Sequence, residues 1–202
     1  MIRIYPLIFI LLWSSAFITT KPIVDNSDPF AALAFRFFFV ALGFYLFSFY
    51  LNQSLITNKR KIAESVLSGV LFHGFYLGGV FYSISIGMPV GIAALIVTLQ
   101  PILTNILSGP ILDEKITTQQ WIGVLLGFTG ASLVLGLDIG SGIPLLGLIA
   151  TIIALLSITI STIWQKKISK NLPLSVSNFY QAFGGCLFPV SYTHLRAHET
   201  LR

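Results

Sequence analysis

The stretch "PFAALAFRFFFVALGFYLFSFY", residues 29–50, holds a single arginine among twenty-one uncharged residues. A hydrocarbon core about 30 Å thick needs about 20 apolar residues per helix, and this run has that length. A barrel strand would alternate apolar and polar residues over about 10 positions, whereas this run is apolar on every face. The stretch therefore reads as a membrane-spanning helix. Arg36, always charged, then needs a partner or a wet cavity, because an unpaired arginine at the centre of such a helix costs about 2.5–3.5 kcal/mol. It stands seven residues past Pro29, roughly 10 Å along the helix at 1.5 Å per residue.

The rest of the chain agrees with this reading. Its 202 residues are 55% hydrophobic and 9% charged, with a mean hydropathy of +0.87. Soluble domains carry about 25% charged residues, so a water-soluble fold would expose too much apolar surface. Apolar runs recur at Tyr5–Thr20, Phe30–Leu51, Ser65–Ile86, Pro89–Leu107, Gln120–Leu137, Ile143–Gln165 and Leu174–Val190. The expected fold is an all-α membrane protein, a polytopic helical bundle in contact with the lipid bilayer. The first run lacks a small-residue cleavage site and reads as a retained span, not a removed signal peptide. Cys186 is the only cysteine, so no disulfide framework or cysteine metal cluster is expected, and its place in an apolar run predicts an inert buried thiol.

Basic residues in short loops mark the cytoplasmic side. Alternate loops collect Arg3, Lys59, Arg60, Lys61, Lys115, Lys166, Lys167 and Lys170 on one side. The other side has Lys21, beside Asp25, Asp28 and Asp138. This bias predicts a multi-pass protein of the inner (plasma) membrane with a cytoplasmic N-terminus. The positive net charge is then a topology signal, and no nucleic-acid partner is expected.

An internal repeat follows. "PFAALAFRF" begins at Pro29 and "PLSVSNFYQ" at Pro173, an offset of 144 residues that sets Phe35 on Phe179 and Arg36 on Tyr180. Five helices precede the restart, and an odd number of spans inverts the next copy in the membrane, a recurring design of transporters. Residues 1–137 are expected to form a first five-helix repeat, and residues 143–190 the first two helices of a second. The segment "SYTHLRAHETLR", 191–202, lacks span periodicity. It reads as a non-native read-through tail joined to a coding sequence that stops early. His194 and His198, four apart, offer the weaker alternative of metal ligands on one helix face.

Several stretches together resemble the EamA-type transporters of the drug/metabolite transporter superfamily. They are "WSSAF" at 13–17, Arg36 after Pro29, "GIAALIVTLQPILTNIL" at 91–107 and "DEKITTQQWIGVLLGFTGASLVL" at 113–135. The resemblance covers about 190 residues. It implies ten helices in two inverted five-helix repeats, with three helices beyond those seen here. It further implies a cytoplasmic N-terminus and export or uptake of small metabolites or drugs. It makes Glu114 a marker of the end of the repeat, with no catalytic role.

Polar groups inside the spans supply the candidate substrate pathway. Arg36 would attract an anionic group such as a carboxylate, or else anchor the helix through Asp25, Asp28 or carbonyls. Trp13, Ser14 and Ser15 form a small-and-polar break in the first span, where serines allow close backbone approach and Trp13 lies too deep for the interfacial belt. His73 and Tyr76 share a face of the third span, with Tyr82 further on. A membrane-embedded histidine meets protons or substrate, or rests on a backbone carbonyl. Pro89 suits a first helical turn. Pro101 lies inside the fourth span, where it should free the Val97 carbonyl and kink the helix, with Thr98, Gln100 and Asn105 flanking it. In the fifth span Thr117 and Gln120 fit a capping box. Gly123, Gly127 and Ala131 form a stripe suited to close helix contact.

The sequence has no nucleotide-binding loop, metal-ligand cluster or nucleophile–base arrangement. No cofactor is expected, and the chain is not expected to be an enzyme. The expected function is secondary transport, as an exporter, of small metabolites, amino acids or drugs by alternating access between two inverted repeats, driven by a proton or counter-substrate gradient. A homodimer is compatible with this reading. The alternative is a non-transporting membrane scaffold or assembly protein with the same architecture.

Overall fold

The computed structural model describes residues 4–55, 58–112, 117–135, 142–168 and 172–200. Arg3, Asp113, Glu114, Lys115, Asp138 and Lys170 lie outside them. In chain order the elements are α1 (Ile4–Asn26), α2 (Pro29–Tyr50), α3 (Lys59–Gly69), a π-helix (Val70–Leu77), α4 (Gly78–Ser85), α5 (Val90–Val97), α6 (Gln100–Leu112), α7 (Thr118–Leu135), α8 (Leu145–Ile168) and α9 (Leu174–Thr200). Among the described residues every regular element is helical, and the chain is an all-α polytopic membrane protein.

Local chemistry sets the helix starts. Asp28 caps α2, its carboxylate accepting from the amides of Phe30 at 3.0 Å and Ala31 at 2.9 Å, with Pro29 in the first turn; a short polar cap and a proline there satisfy or remove the orphan amides. Asn58 caps α3 through the amide of Arg60. The Thr117–Gln120 capping box forms in both directions. Gln120 Oε1 accepts from the Thr117 amide at 2.9 Å, and Thr117 Oγ1 accepts from the Gln120 amide at 3.3 Å.

Five segments are long and apolar enough to cross a membrane: Ile4–Asn26, Pro29–Tyr50, Lys59–Ser85, Val90–Gly109 and Leu145–Ile168. Seven spans are expected from the sequence, and the two that fall short of this measure are α7 and α9. In α9 the reason is its central position. Ser175, Ser177 and Gln181 are buried against protein, so polar residues there meet side chains instead of lipid. Gln165 donates to Gln181 at 2.7 Å, Gln181 donates to Ser177 at 3.0 Å, and Ser175 bonds Gln53.

Helices α2 and α9 pack against each other in opposite directions. The Cys186 thiol reaches the Ala34 carbonyl at 3.5 Å near one end, the Tyr45 and Phe179 rings lie 6.0 Å apart further along, and Ser175 meets Gln53 beyond them. Cys186 is half-buried beside Leu33, Phe37 and Phe81. α9 runs alongside α3 and the π-helix in the same direction. Glycines bring their backbones together: a Cβ on Gly69 would collide with the Gln181 backbone, and one on Gly184 with the Val66 carbonyl. α8 packs antiparallel on the same segment, with Ser161 donating to the Ser68 carbonyl at 3.1 Å and Gly79 against Ala150 and Ala154. The main core lies between the π-helix, α4, α5 and α8 and includes Tyr76, Val80, Ile84, Ala93, Val97 and Ile158.

Several expectations are corrected. The third span begins at Lys59 and changes to π-helix at Val70, so it is longer and locally wider than a plain α-helix. The fourth span, Val90–Gly109, is interrupted at Thr98 and Leu99, next to Pro101, which divides it into α5 and α6. Pro101 sits in the first turn of the second, where its missing amide costs least. Pro89 is the cap before α5, with a ψ of 129°, not part of its first turn. Gly123 and Gly127 make no close helix contact, since a Cβ on either meets nothing within 4 Å. The helix α9 extends from Leu174 to Thr200, which does not test the reading of residues 191–202 as a read-through tail.

Candidate functional site

Two cavities flank α1. The first, about 260 Å³, lies between α1, α2, the π-helix and α4. The second, about 1230 Å³, lies between α1, α5, α6, α7 and α8. Phe9, Trp13, Phe17 and Phe72 line both, so an aromatic partition separates them. α1 is suited to this place because only Thr20 of its 23 residues is buried, leaving the helix loosely held.

The first cavity gathers Arg36, His73 and Tyr76 with Trp13. Arg36 projects from the α2 face that also carries Phe37, whose ring centroid lies 5.8 Å from the guanidinium carbon. The guanidinium makes no hydrogen bond or salt bridge to the described residues. The acids the sequence offered as anchors are engaged elsewhere: Asp25 pairs with Lys21 at 2.6 Å, and Asp28 caps α2. The π-helix turns His73 and Tyr76 toward this space. His73 stacks on Phe37, with ring centroids 4.2 Å apart, and on Phe72 at 5.0 Å. Its Nδ1 is buried and has no hydrogen-bond partner among the described residues. Tyr76 is buried and meets Phe72 edge-on at 5.5 Å. A π-helical turn within an α-helix frequently marks a functional site, and here it carries His73 and Tyr76 of the cavity wall.

The second cavity has a mostly apolar wall with several neutral polar side chains and no charged one among the described residues. It gathers Ser14, Thr98, Gln100, Pro101 and Asn105. Gln100 Nε2 donates to Thr162 Oγ1 at 3.2 Å, linking α6 to α8, while the Thr98 hydroxyl donates to the Leu95 carbonyl at 2.6 Å. Gly123 and Gly127 face this cavity, which is why they pack against nothing. Of the residues singled out from the sequence, Ser15 lines neither cavity; its hydroxyl donates to the Leu12 carbonyl at 2.8 Å. Tyr82 stacks on Phe30 at 6.5 Å outside both. Thr20 and Thr162 line cavities without having been singled out, and Gln120, expected only as a capping residue, lines the second. Thr162 is one of several hydroxyl residues in α8, among Ser157, Thr159 and Ser161, and spacing alone gave no reason to choose it.

Membrane-crossing helices that enclose cavities between them define a multi-pass helical membrane protein of the kind from which small-molecule carriers are built. The profile of the EamA-like transporter family matches residues 3–136. The chain belongs to that family, a family of transporters and not of enzymes. It is 24% identical over 172 residues to the "Probable amino-acid metabolite efflux pump" of Salmonella typhimurium, covering 83% of this chain and 54% of that protein. It is 25% identical over 167 residues to the protein of the same description in Escherichia coli, covering 80% and 52%. It is 27% identical over 106 residues to the "Uncharacterized transporter YvbV" of Bacillus subtilis, covering 52% and 33%. The chain thus spans about half the length of the two efflux pumps, and less of the third relative.

Proposed function

We propose that this chain belongs to a secondary transporter that exports small metabolites, amino acids among them, by alternating access between two inverted five-helix repeats. In this reading residues 1–137 form the first repeat and residues 143–190 the first two helices of the second. The antiparallel packing of α2 on α9 supports the inverted relation. Export and the amino-acid-related cargo follow the names of the two half-covered relatives.

The observation that carries the proposal is the pair of cavities meeting at the Phe9–Trp13–Phe17–Phe72 partition, with an unpaired Arg36 on one side and amides and hydroxyls on the other. A charge inside a membrane bundle is expensive and marks a pathway by default. The basic clusters support a cytoplasmic N-terminus in the plasma membrane. Because α3 and α8 are antiparallel neighbours, Lys59–Lys61 at the start of one and Lys166–Lys167 at the end of the other stand at the same end of the bundle. In this reading a proton or counter-substrate gradient drives the cycle.

The test is flux of amino acids and related carboxylates from loaded proteoliposomes holding the complete two-repeat protein, comparing that parent with Arg36→Ala and His73→Ala. Flux in the parent, lost in both variants while folding is retained, is the expected result. Absence of flux from a correctly folded parent would replace this proposal with a non-transporting scaffold.

A further inference from the structure

We propose that the cavity between α1, α2 and the π-helix is a carboxylate pocket that selects amino-acid-sized monocarboxylates without an ammonium group over zwitterions and amines of the same apolar body. The inference rests on the transporter reading and sharpens its substrate class.

Charge carries the first part of the argument. Arg36 is the one charged side chain among the described residues lining this cavity, and no aspartate or glutamate lines it. The nearby acids have partners of their own, Lys21 for Asp25 and the α2 amides for Asp28. Among the described residues, the cavity therefore offers a ligand a fixed positive charge and no fixed negative one. A carboxylate neutralises it and accepts the guanidinium fork, the geometry for which arginine is suited. An ammonium group two bonds from that carboxylate finds no counter-charge and is repelled by the same guanidinium.

Donors and walls carry the second part. His73 lines the cavity and stacks on Phe37, so its ring forms the wall beside the guanidinium. Tyr76 lines the same cavity, and a carboxylate has lone pairs enough to accept both arms of the guanidinium fork. Around them stand Phe37, Phe72, Phe81 and Trp13. A volume of about 260 Å³ holds on the order of nine waters at about 30 Å³ each. That is room for a carboxylate with a phenyl or branched aliphatic body. A small apolar pocket with a few convergent polar groups is the usual form of a small-molecule site.

The experiment titrates the 202-residue chain in lipid nanodiscs with three compounds that share one ring: phenylpyruvate, phenylalanine and phenethylamine. Saturable binding is expected for phenylpyruvate, at least tenfold weaker binding for phenylalanine, and none for the amine. Arg36→Ala should weaken phenylpyruvate binding at least tenfold, with partial recovery in Arg36→Lys. Equal or tighter binding of phenylalanine, competition by phenethylamine, or no binding of phenylpyruvate to the parent chain overturns the inference. The ranking on the parent chain holds whether or not a variant folds. Amino-acid flux without this ranking would leave the transporter reading standing alone, whereas the ranking without flux would leave a carboxylate pocket in a protein that does not transport.

Discussion

The Tyr180 hydroxyl donates a 2.6 Å hydrogen bond to the backbone carbonyl of Leu55, tying α9 to the segment that follows α2. Tyr180 stands 144 residues after Arg36, at the matching place of the repeated pattern. One of the pair holds backbone in place; the other faces a cavity with no hydrogen-bond or salt-bridge partner among the described residues. Their substitutions should therefore have opposite consequences. Tyr180→Phe should cost about 0.5–1.5 kcal/mol, the net worth of an ordinary hydrogen bond, and leave ligand binding unchanged. Arg36→Ala removes a charge that is costly in the membrane, so it should leave stability equal or raised while binding is lost. Thermal unfolding in detergent, run beside ligand titration, measures both. Loss of binding in Tyr180→Phe with full stability would contradict the division.

The glycines separate into those that touch backbone and those that face space. Gly69→Ala and Gly184→Ala place a methyl into the Gln181 and Val66 backbones, which cannot step aside as a flexible side chain would. Overpacking of this kind costs about 1–3 kcal/mol, so both variants should unfold earlier than the parent. Gly123→Ala and Gly127→Ala meet nothing within 4 Å and should gain up to about 1 kcal/mol from helix propensity. Chemical or thermal denaturation of the four variants decides this. A common destabilisation of all four would mean that α7 packs more closely than its open face indicates.

How much of this was legible follows from the same residues. Asp28 with Pro29, and Thr117 with Gln120, announce helix starts through local chemistry, and the structure uses both. Length and apolarity gave the helical spans. Rotation about each helix axis was not legible, because a helix that is apolar all round carries no stripe to say which face meets protein. Gly123 and Gly127 therefore looked like a packing seam but face a cavity, whereas Gly69 and Gly184 form the actual seam and were not singled out. The π-helix at Val70–Leu77 was also hidden. Its only trace is the density of glycine at Gly69, Gly74, Gly78 and Gly79 within one span. The pairing of His73 with Tyr76 on one face survived this change of helix type, since both still line the first cavity.

Gly185 offers a way to disturb the pocket from behind. It lines neither cavity, yet a Cβ there would collide with the Cβ of His73 and stand 3.0 Å from its ring. Gly185→Ala should push the imidazole off its stack on Phe37, now 4.2 Å between centroids, and into the space a ligand would occupy. The expected result is phenylpyruvate binding weakened several-fold in a chain that still folds. Gly43→Ala, with open space around its would-be methyl, is the matched control and should bind as the parent does.

The break between α5 and α6 positions the polar groups of the second cavity. α5 ends at Val97, the Leu99 amide turns back to the Ile96 carbonyl at 3.1 Å, and α6 begins at Gln100. In a continuous helix residue 101 would donate to the Val97 carbonyl, but proline has no amide to give. Pro101→Ala restores that donor and removes the ring, allowing one helix to run from Val90 onward. Continuity would rotate Gln100 away from Thr162, now 3.2 Å distant, and carry Asn105 with it. The variant should be more stable, by up to about 3 kcal/mol if the helix closes fully, and slower in flux. Distances between spin labels at Ile92 and Ile106 would report the straightening directly. If those distances and the flux both stay at the parent values, the Thr98–Leu99 turn itself holds the break, and the hydroxyl of Thr98 bonded to Leu95 becomes the group to remove next.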